Sequence, residues 1–351
     1  MGSAPSQRSL VVVAGSGRSG TSLFSGILQR LGYHVPQPEV PADATNPRGF
    51  AESQWVVDFH TRLLKTARVQ VSDARPTAWA LCAEVSMEDT VRRELRDWLE
   101  GQFREHDDLI IKDPRLSWFL PLWRACAQDL GVSPCFVTML RHPAAVIDSK
   151  QRWYGEWQGN VARAAGWVHQ TLFTERATRE SPRAFVHYED LLRDWTSAVG
   201  NVGEALDLAK VRDAPVAAMR DVHGFVDPSL ARSRTDWGDL NIPTALRAQA
   251  DEAWALVSAL AAGDAPDPTT KRLDELRTEY VDLYAEAEAI AQSSIAAARG
   301  RGAGGGANGK VKAPALRLAR RMPRRYRHAV PLQWRIRIAR ALRGTPARTP
   351  R

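Results

Sequence analysis

Short apolar runs rich in β-branched residues recur through the first half of the chain, at residues 10–14 (LVVVA), 109–112 (LIIK), 135–140 (CFVTML) and 184–187 (AFVH). Runs without polar alternation predict strands covered on both faces, as in parallel sheets. Helical periodicity fills the intervals. Leu23, Ile27, Leu28 and Leu31 share one face and Gly32 follows as a stop, and residues 88–105 and 117–130 read as further helices. Strands alternating with helices predict an α/β fold, a P-loop-type parallel sheet with helices on both faces, whose ligands bind at the carboxyl ends of the strands. Beyond about residue 205 the pattern becomes helical, with elements predicted at 244–262 and 270–298. In the second, Leu273, Leu276, Tyr280, Leu283, Ala287 and Ile290 are spaced alternately three and four apart. Such a seam suits either a helix packed on its own domain or a homodimer contact. Residues 300–309 (GRGAGGGANG) read as a flexible linker. The predicted organisation is therefore a P-loop domain over 1–240, a helical extension over 241–298, a Gly-rich linker over 299–313 and a basic tail over 314–351.

Composition is that of a globular chain, with 44% apolar and 25% charged residues among 351. The net charge of +8 is unevenly placed. Fourteen of the 48 Lys and Arg residues lie in 310–351, which holds no Asp or Glu. The rest of the chain sets 34 basic against 40 acidic residues, a net charge of −6, so the basic character belongs to the tail. Cys82, Cys126 and Cys135 are odd in number and widely spaced, as free thiols in a reducing compartment are. No cysteine or histidine spacing suggests a metal. The apolar run at 10–14 is too short for a signal segment or a membrane span.

The first strand runs into Gly15-Ser16-Gly17-Arg18-Ser19-Gly20-Thr21-Ser22 and then a helix. Glycines let the backbone approach an anion, and successive N–H groups with the helix N-terminus form a cradle for it. The spacing fits G-x-x-x-x-G-K-[ST], except that Thr21 stands at the lysine position and the cation comes earlier, at Arg18. A triphosphate needs that lysine and a magnesium ion, so this loop suits a single phosphate better. A second group follows the third strand, where Arg141 precedes Pro143, a residue suited to opening a helix, with Ser149 two turns on. Arginine binds phosphate bidentately, although an arginine paired with a carboxylate and a surface serine would look the same.

Arg18-Ser19-Gly20-Thr21-Ser22 resembles the 5′-phosphosulfate loop of sulfotransferases dependent on 3′-phosphoadenosine 5′-phosphosulfate (PAPS). That family shows Lys-Ser-Gly-Thr-Thr, with arginine first in several branches. Arg141 and Ser149 match its Arg-x-Pro segment with a serine eight residues after the arginine. The resemblance spans residues 8–195 and, more loosely, residues up to 240. It implies that Gly17, Arg18, Ser19, Gly20, Thr21 and Ser22 hold the donor's 5′-phosphate, with Arg18 near the leaving oxygen, and that Arg141 and Ser149 hold the 3′-phosphate. Tyr188, in Tyr188-Glu189-Asp190-Leu191, corresponds to a tyrosine lying against adenine; core packing is the other role open to it. The family's late Arg-Lys-Gly segment is absent, leaving Arg232 and Arg234 as substitutes.

The second strand ends in Lys112-Asp113-Pro114-Arg115, where the cytosolic branch reads Lys-x-His. Lys112 matches the lysine that steadies the transferring group, while Pro114 replaces the histidine base. Glu52, in Asn46-Pro47-Arg48-Gly49-Phe50-Ala51-Glu52, is the first candidate for that base, since NPxGxxE resembles the bacterial pattern; Asp113 and His60 are the reserves. Glu52 also suits a structural role at the start of a helix. Arg115 is open to binding an acidic acceptor or pairing within the fold. Trp153, Tyr154, Trp157 and Trp167 suit a sugar face, an apolar acceptor or ordinary packing.

The resemblance thus implies a cytoplasmic enzyme that moves a sulfuryl group from PAPS to a hydroxyl or amine of an unidentified acceptor, a glycan or glycolipid among the options, without a metal. Arginines alternating with Leu, Trp and Ile over residues 314–343 suit an anionic membrane surface, which would make the protein peripheral there. The acidic body argues against nucleic acid. Two other functions fit less of the sequence. A P-loop small-molecule or nucleotide kinase leaves Thr21 and the Arg141/Ser149 pair unexplained. A non-catalytic membrane- or nucleic-acid-binding protein leaves the phosphate loop unexplained.

Overall fold

A computed structural model describes residues 8–154, 158–227, 229, 236–263 and 268–303, with side chains as far as residue 294. The elements follow in the order β1 (Ser9–Ala14), α1 (Thr21–Arg30), α2 (Gln54–Ala67), α3 (Ala78–Ser86), α4 (Asp89–Glu105), β2 (Asp108–Lys112), a 3₁₀ turn (Leu116–Phe119), α5 (Leu120–Asp129), β3 (Cys135–Leu140), α6 (Pro143–Tyr154), α7 (Asn160–Thr178), β4 (Arg183–His187), α8 (Tyr188–Ala205), α9 (Ala209–Arg212), α10 (Val216–Phe225), α11 (Thr244–Ala262) and α12 (Thr269–Ala303). All four apolar runs are strands, within one residue of the limits read from the sequence. They form one parallel sheet in the order β2-β1-β3-β4. Val12 sits opposite Ile111 on one side and Phe136 on the other, and Val137 opposite Ala184.

The sheet explains why β1 is apolar from Leu10 to Ala14. Leu10, Val12 and Ala14 face a core completed by α2–α5, with Leu109, Ile111 and Phe136 beside them. Val11 and Val13 face the opposite core, with Ile110, Val137 and Met139, under Phe24, Ile27 and Leu28 of α1 and Leu191 and Val199 of α8. A strand that alternates between two dry faces has no position for a polar side chain.

A third core lies around Leu140 and joins α6, α7, α11 and the first half of α12 through Val146, Ile147, Trp167, Val168, Ala250 and Val257. Leu273, Leu276 and Tyr280 are buried in it, so this part of the apolar seam packs on its own chain. The Tyr280 hydroxyl donates to the Ala74 carbonyl at 2.6 Å, which ties α12 to the segment after α2. Residues 1–287 form one compact unit and 288–351 another. Helix α12 runs on into the Gly-rich stretch, and the basic tail lies outside the described residues. Cys82, Cys126 and Cys135 are free and buried. Among the described residues, no helix is long and apolar enough to cross a membrane.

Leu276 is fully buried whereas Val281, one turn on, is exposed. Leu276→Ala should cost about 2–5 kcal/mol in urea unfolding, and Val281→Ser less than about 0.5 kcal/mol. A midpoint independent of protein concentration is expected for both, as for any helix packed within its own chain.

Candidate active site

The phosphate loop is shaped by close backbone contacts. Gly15 has φ 141°, and a Cβ there would lie 2.7 Å from the Met139 carbonyl of the neighbouring strand, so no other residue fits. The Ser19 N–H returns to the Ser16 carbonyl at 3.0 Å and closes the turn. Arg18, at φ 78°, and Gly20, at φ 89°, carry the chain through left-handed conformations into α1. Gly20 is the N-cap of α1 and contributes no side-chain cap, and its carbonyl accepts from the Phe24 N–H at 3.1 Å. The first-turn N–H groups of α1, Thr21 and Ser22 among them, have no intrahelical acceptor and remain for a ligand. Gly17 lies against Pro114, whose Cβ is 3.7 Å from where a side chain would begin.

Strand β3 brings the second basic group to the same loop. The Arg141 Nη1 donates to the Arg18 carbonyl at 3.0 Å, and Arg18 Nε donates to the Ser149 hydroxyl on α6 at 3.0 Å. The two sets of candidate residues therefore touch. Burial lowers the Arg141 pKa, although Tyr188 and Glu189 oppose the shift. Its Nε is buried with no hydrogen-bond partner. The Tyr188 ring packs 4.7 Å from the Arg141 guanidinium, and a Cβ on Gly20 would run into that ring. Tyr188 is thus a half-buried wall between the loop and Arg141. Arg232 and Arg234, the substitutes for the late basic segment, lie outside the described residues.

At the end of β2, Lys112 forms a buried ion pair with Glu52 and also donates to the Ser22 hydroxyl at 2.8 Å and the Phe50 carbonyl at 3.1 Å. Ser22 sits in the first turn of α1, so the pair adjoins the phosphate loop. Two features hold Glu52 there. Its carbonyl accepts from the Val40 N–H at 2.8 Å, and Ala51 before it takes φ 50°, uncommon for a residue with a Cβ. Burial raises the Glu52 pKa; Lys112 pulls it down, Asp113 pushes it up, and the net result stays above the usual carboxylate range.

The two reserve bases are built into the core. The His60 ring is fully buried, and its Nε2 accepts from the Trp123 indole N–H at 2.9 Å. Indole only donates, which assigns the ring proton to Nδ1, 2.7 Å from Asp113 Oδ2. Asp113 Oδ1 accepts from the Arg115 backbone N–H at 3.1 Å and from its Nη1 at 2.7 Å. Burial pushes Asp113 up, but the hydrogen bond from His60 and the charge of Arg115 outweigh it and hold the group below its ordinary value. Arg115 is thereby paired within the fold. Among the aromatic candidates, Trp153 and Tyr154 are exposed, with Arg18 5.8 Å from the Trp153 ring, while Trp167 is buried in the third core. Trp157 lies outside the described residues.

Sequence reasoning missed Lys150. Its ammonium donates to the Ser16 hydroxyl at 3.1 Å and to the Ser72 hydroxyl at 2.9 Å. The signal was there, since Pro143, Val146 and Ile147 are buried along one face of α6 and Lys150 falls on that face at the next turn.

No curated protein sequence matches the chain. Among solved structures, the sulfotransferase domain from the Synechococcus PCC 7002 olefin synthase matches at 19% identity with a TM-score of 0.44, covering 72% of this chain and 97% of that one. The sulfotransferase domain from the curacin biosynthetic pathway matches at 15% identity with a TM-score of 0.42, covering 72% and 98%. Such distant likenesses carry no weight here. The sulfotransferase family model, in contrast, matches residues 11–213, from the first strand to the segment just before α10. That span is well over half of the chain and contains the loop, Glu52, Lys112, Arg141 and Ser149, and on it the protein belongs to the sulfotransferase family.

Proposed function

We propose that the protein transfers a sulfuryl group from PAPS to a hydroxyl or amine, and that a glycan is the acceptor class. The carrying observation is the contact between the phosphate loop and two cationic groups, Arg141 with Ser149 on one side and the Lys112–Glu52 pair on the other. The residues suit a donor with two anionic ends. The first-turn amides of α1 lack acceptors, and the buried Arg141 Nε lacks a partner that a phosphate oxygen would supply.

Each residue then has a role. Loop N–H groups, Thr21 and Ser22 hold the 5′-phosphate, and Arg141 and Ser149 hold the 3′-phosphate. Tyr188, fixed against Gly20, shapes the wall between them. When bound, the donor supplies the sulfuryl group and a phosphate leaving group. Glu52 accepts the proton of the attacking hydroxyl, since its raised pKa makes it a better base than a solvated carboxylate. Arg18 and Lys112 answer the negative charge that develops on the bridging oxygen as the S–O bond to phosphate breaks. In-line attack converts the hydroxyl to a sulfate ester and releases adenosine 3′,5′-bisphosphate. Trp153 and Tyr154, exposed beside Arg18, offer a face for a sugar ring. This reading places the enzyme in the cytoplasm, with the basic tail against an anionic membrane if the acceptor is a glycolipid.

Adenosine 3′,5′-bisphosphate should raise the melting temperature of the full chain while ATP leaves it unchanged; the reverse result would favour a kinase. Mass-tagged sulfate transfer from PAPS into a cell extract would identify the acceptor. Arg141→Ala should weaken adenosine 3′,5′-bisphosphate binding by about 1.5–3 kcal/mol, the range of hydrogen bonds to charged groups.

Glu52→Gln should lower the transfer rate by about 10²–10⁴-fold while nucleotide binding persists. In the wild type the carboxylate form is active and its pKa is raised. The rate should therefore fall as pH falls through a value above the usual glutamate range, and Glu52→Gln should lose that acid limb. An unaltered limb in kcat/KM would show that another group is the base.

A further inference from the structure

Lys150 is 5% exposed, and its ammonium lies between Ser16 of the phosphate loop and Ser72 of the segment joining α2 to α3. Both partners are neutral hydroxyls. A buried ammonium is ordinarily answered by a carboxylate, because hydroxyls replace only part of its lost hydration. Around it, Arg163 on α7 is buried and of the same sign, and Arg18 in the loop is also cationic. Asp73, beside Ser72, is held by Arg75 at 2.7 Å. Asp148 on α6 is paired with Arg152, and Asp251 on α11 accepts from the Trp237 indole. His169 on α7 is held at about 4 by burial, bonded to the Asp73 carbonyl, and stays neutral. Among the described residues no carboxylate is ion-paired with Lys150. A buried ammonium held by neutral hydroxyls behind the candidate phosphate loop favours an anion there.

We propose that Lys150 is a positioning residue for the donor, holding Ser16 and the Gly15–Gly17 arm of the loop from behind and completing its charge balance only when the phosphosulfate end of the nucleotide is bound. The inference rests on the sulfotransfer reading of the site. It makes a prediction that the arginines and Lys112 do not. Burial, reinforced by Arg163, lowers the Lys150 pKa to about 8 in the free protein. A bound anion raises it, so binding favours the protonated form. Affinity is then complete below about 8, declines as pH rises from there to the bound-state value, and proton uptake accompanies binding in that window. Nucleotide phosphates are already fully ionised there, their second pKa being about 6.

The test is calorimetric titration of adenosine 3′,5′-bisphosphate into the full chain, between about pH 7 and about pH 9.5. Wild-type affinity should fall by roughly tenfold across the range, with proton uptake near pH 8.5 seen in buffers of different ionisation enthalpy. Lys150→Gln should bind roughly tenfold more weakly at neutral pH and lose the pH dependence. Lys150→Arg keeps the charge and should hold neutral-pH affinity through the alkaline range. A Lys150→Gln profile that parallels wild type, or wild-type binding without proton uptake, overturns the proposal alone; the second result needs no variant to fold. Failure of the wild type to bind the nucleotide at any pH overturns the donor reading and this inference with it.

Discussion

Cations crowded into a dry pocket must be balanced, and the arrangement of this protein turns on how that is done. Lys112 is answered inside the protein by Glu52, in a buried pair. Arg18, Arg141 and Lys150 are given hydroxyl and carbonyl oxygens instead. Removing one partner of a buried ion pair leaves a charge stranded at a cost of several kcal/mol. The Lys112–Glu52 pair is therefore tightly specified, whereas the other three cations retain attraction for an external anion. The same economy separates the carboxylates. Asp113 is consumed by His60 and Arg115, and Glu52 alone combines a raised pKa with contact to the loop through Lys112.

This convergence depends on the parallel sheet. Parallel strands end on the same side, so the residues after β1, β2 and β3 meet there although Lys112 lies 90 positions from Ser22 and Arg141 lies 123 from Arg18. Chain direction puts Lys112 on one flank of the loop and Arg141 on the other, because β1 lies between β2 and β3. Helix α6 then brings Ser149 and Lys150 to loop residues two positions apart, Ser149 to Arg18 and Lys150 to Ser16. Neighbouring residues on one helix thus contact two parts of one loop.

Much of this was legible without coordinates. The strands announce themselves because both sheet faces are dry, which leaves Ser9 at the start of β1 and Thr138 in β3 as the polar residues of those two strands. The loop is legible because Gly15 and Gly20 take positive-φ conformations that favour glycine. Local rules of this kind depend on neighbours in sequence and survive in the sequence pattern. The choice among Glu52, Asp113 and His60 was not legible. His60 lies in the apolar periodicity of α2, and only its contacts with Trp123 and Asp113 show that both ring nitrogens are engaged. The seam of α12 was equally ambiguous, since an apolar stripe looks the same against its own domain or a second copy.

By itself, the sequence determined the α/β class, the four strands and the glycine-bearing turn between β1 and α1, because periodicity and glycine placement encode local conformation. Tertiary structure alone decided the order of the strands, the contact of Arg141 with the loop, the ion pairing of Lys112 with Glu52, the retirement of His60 and Asp113 into the core and the burial of Lys150 behind Ser16. Those facts concern desolvation and charge balance, which arise from residues far apart in the chain once folding has excluded water between them.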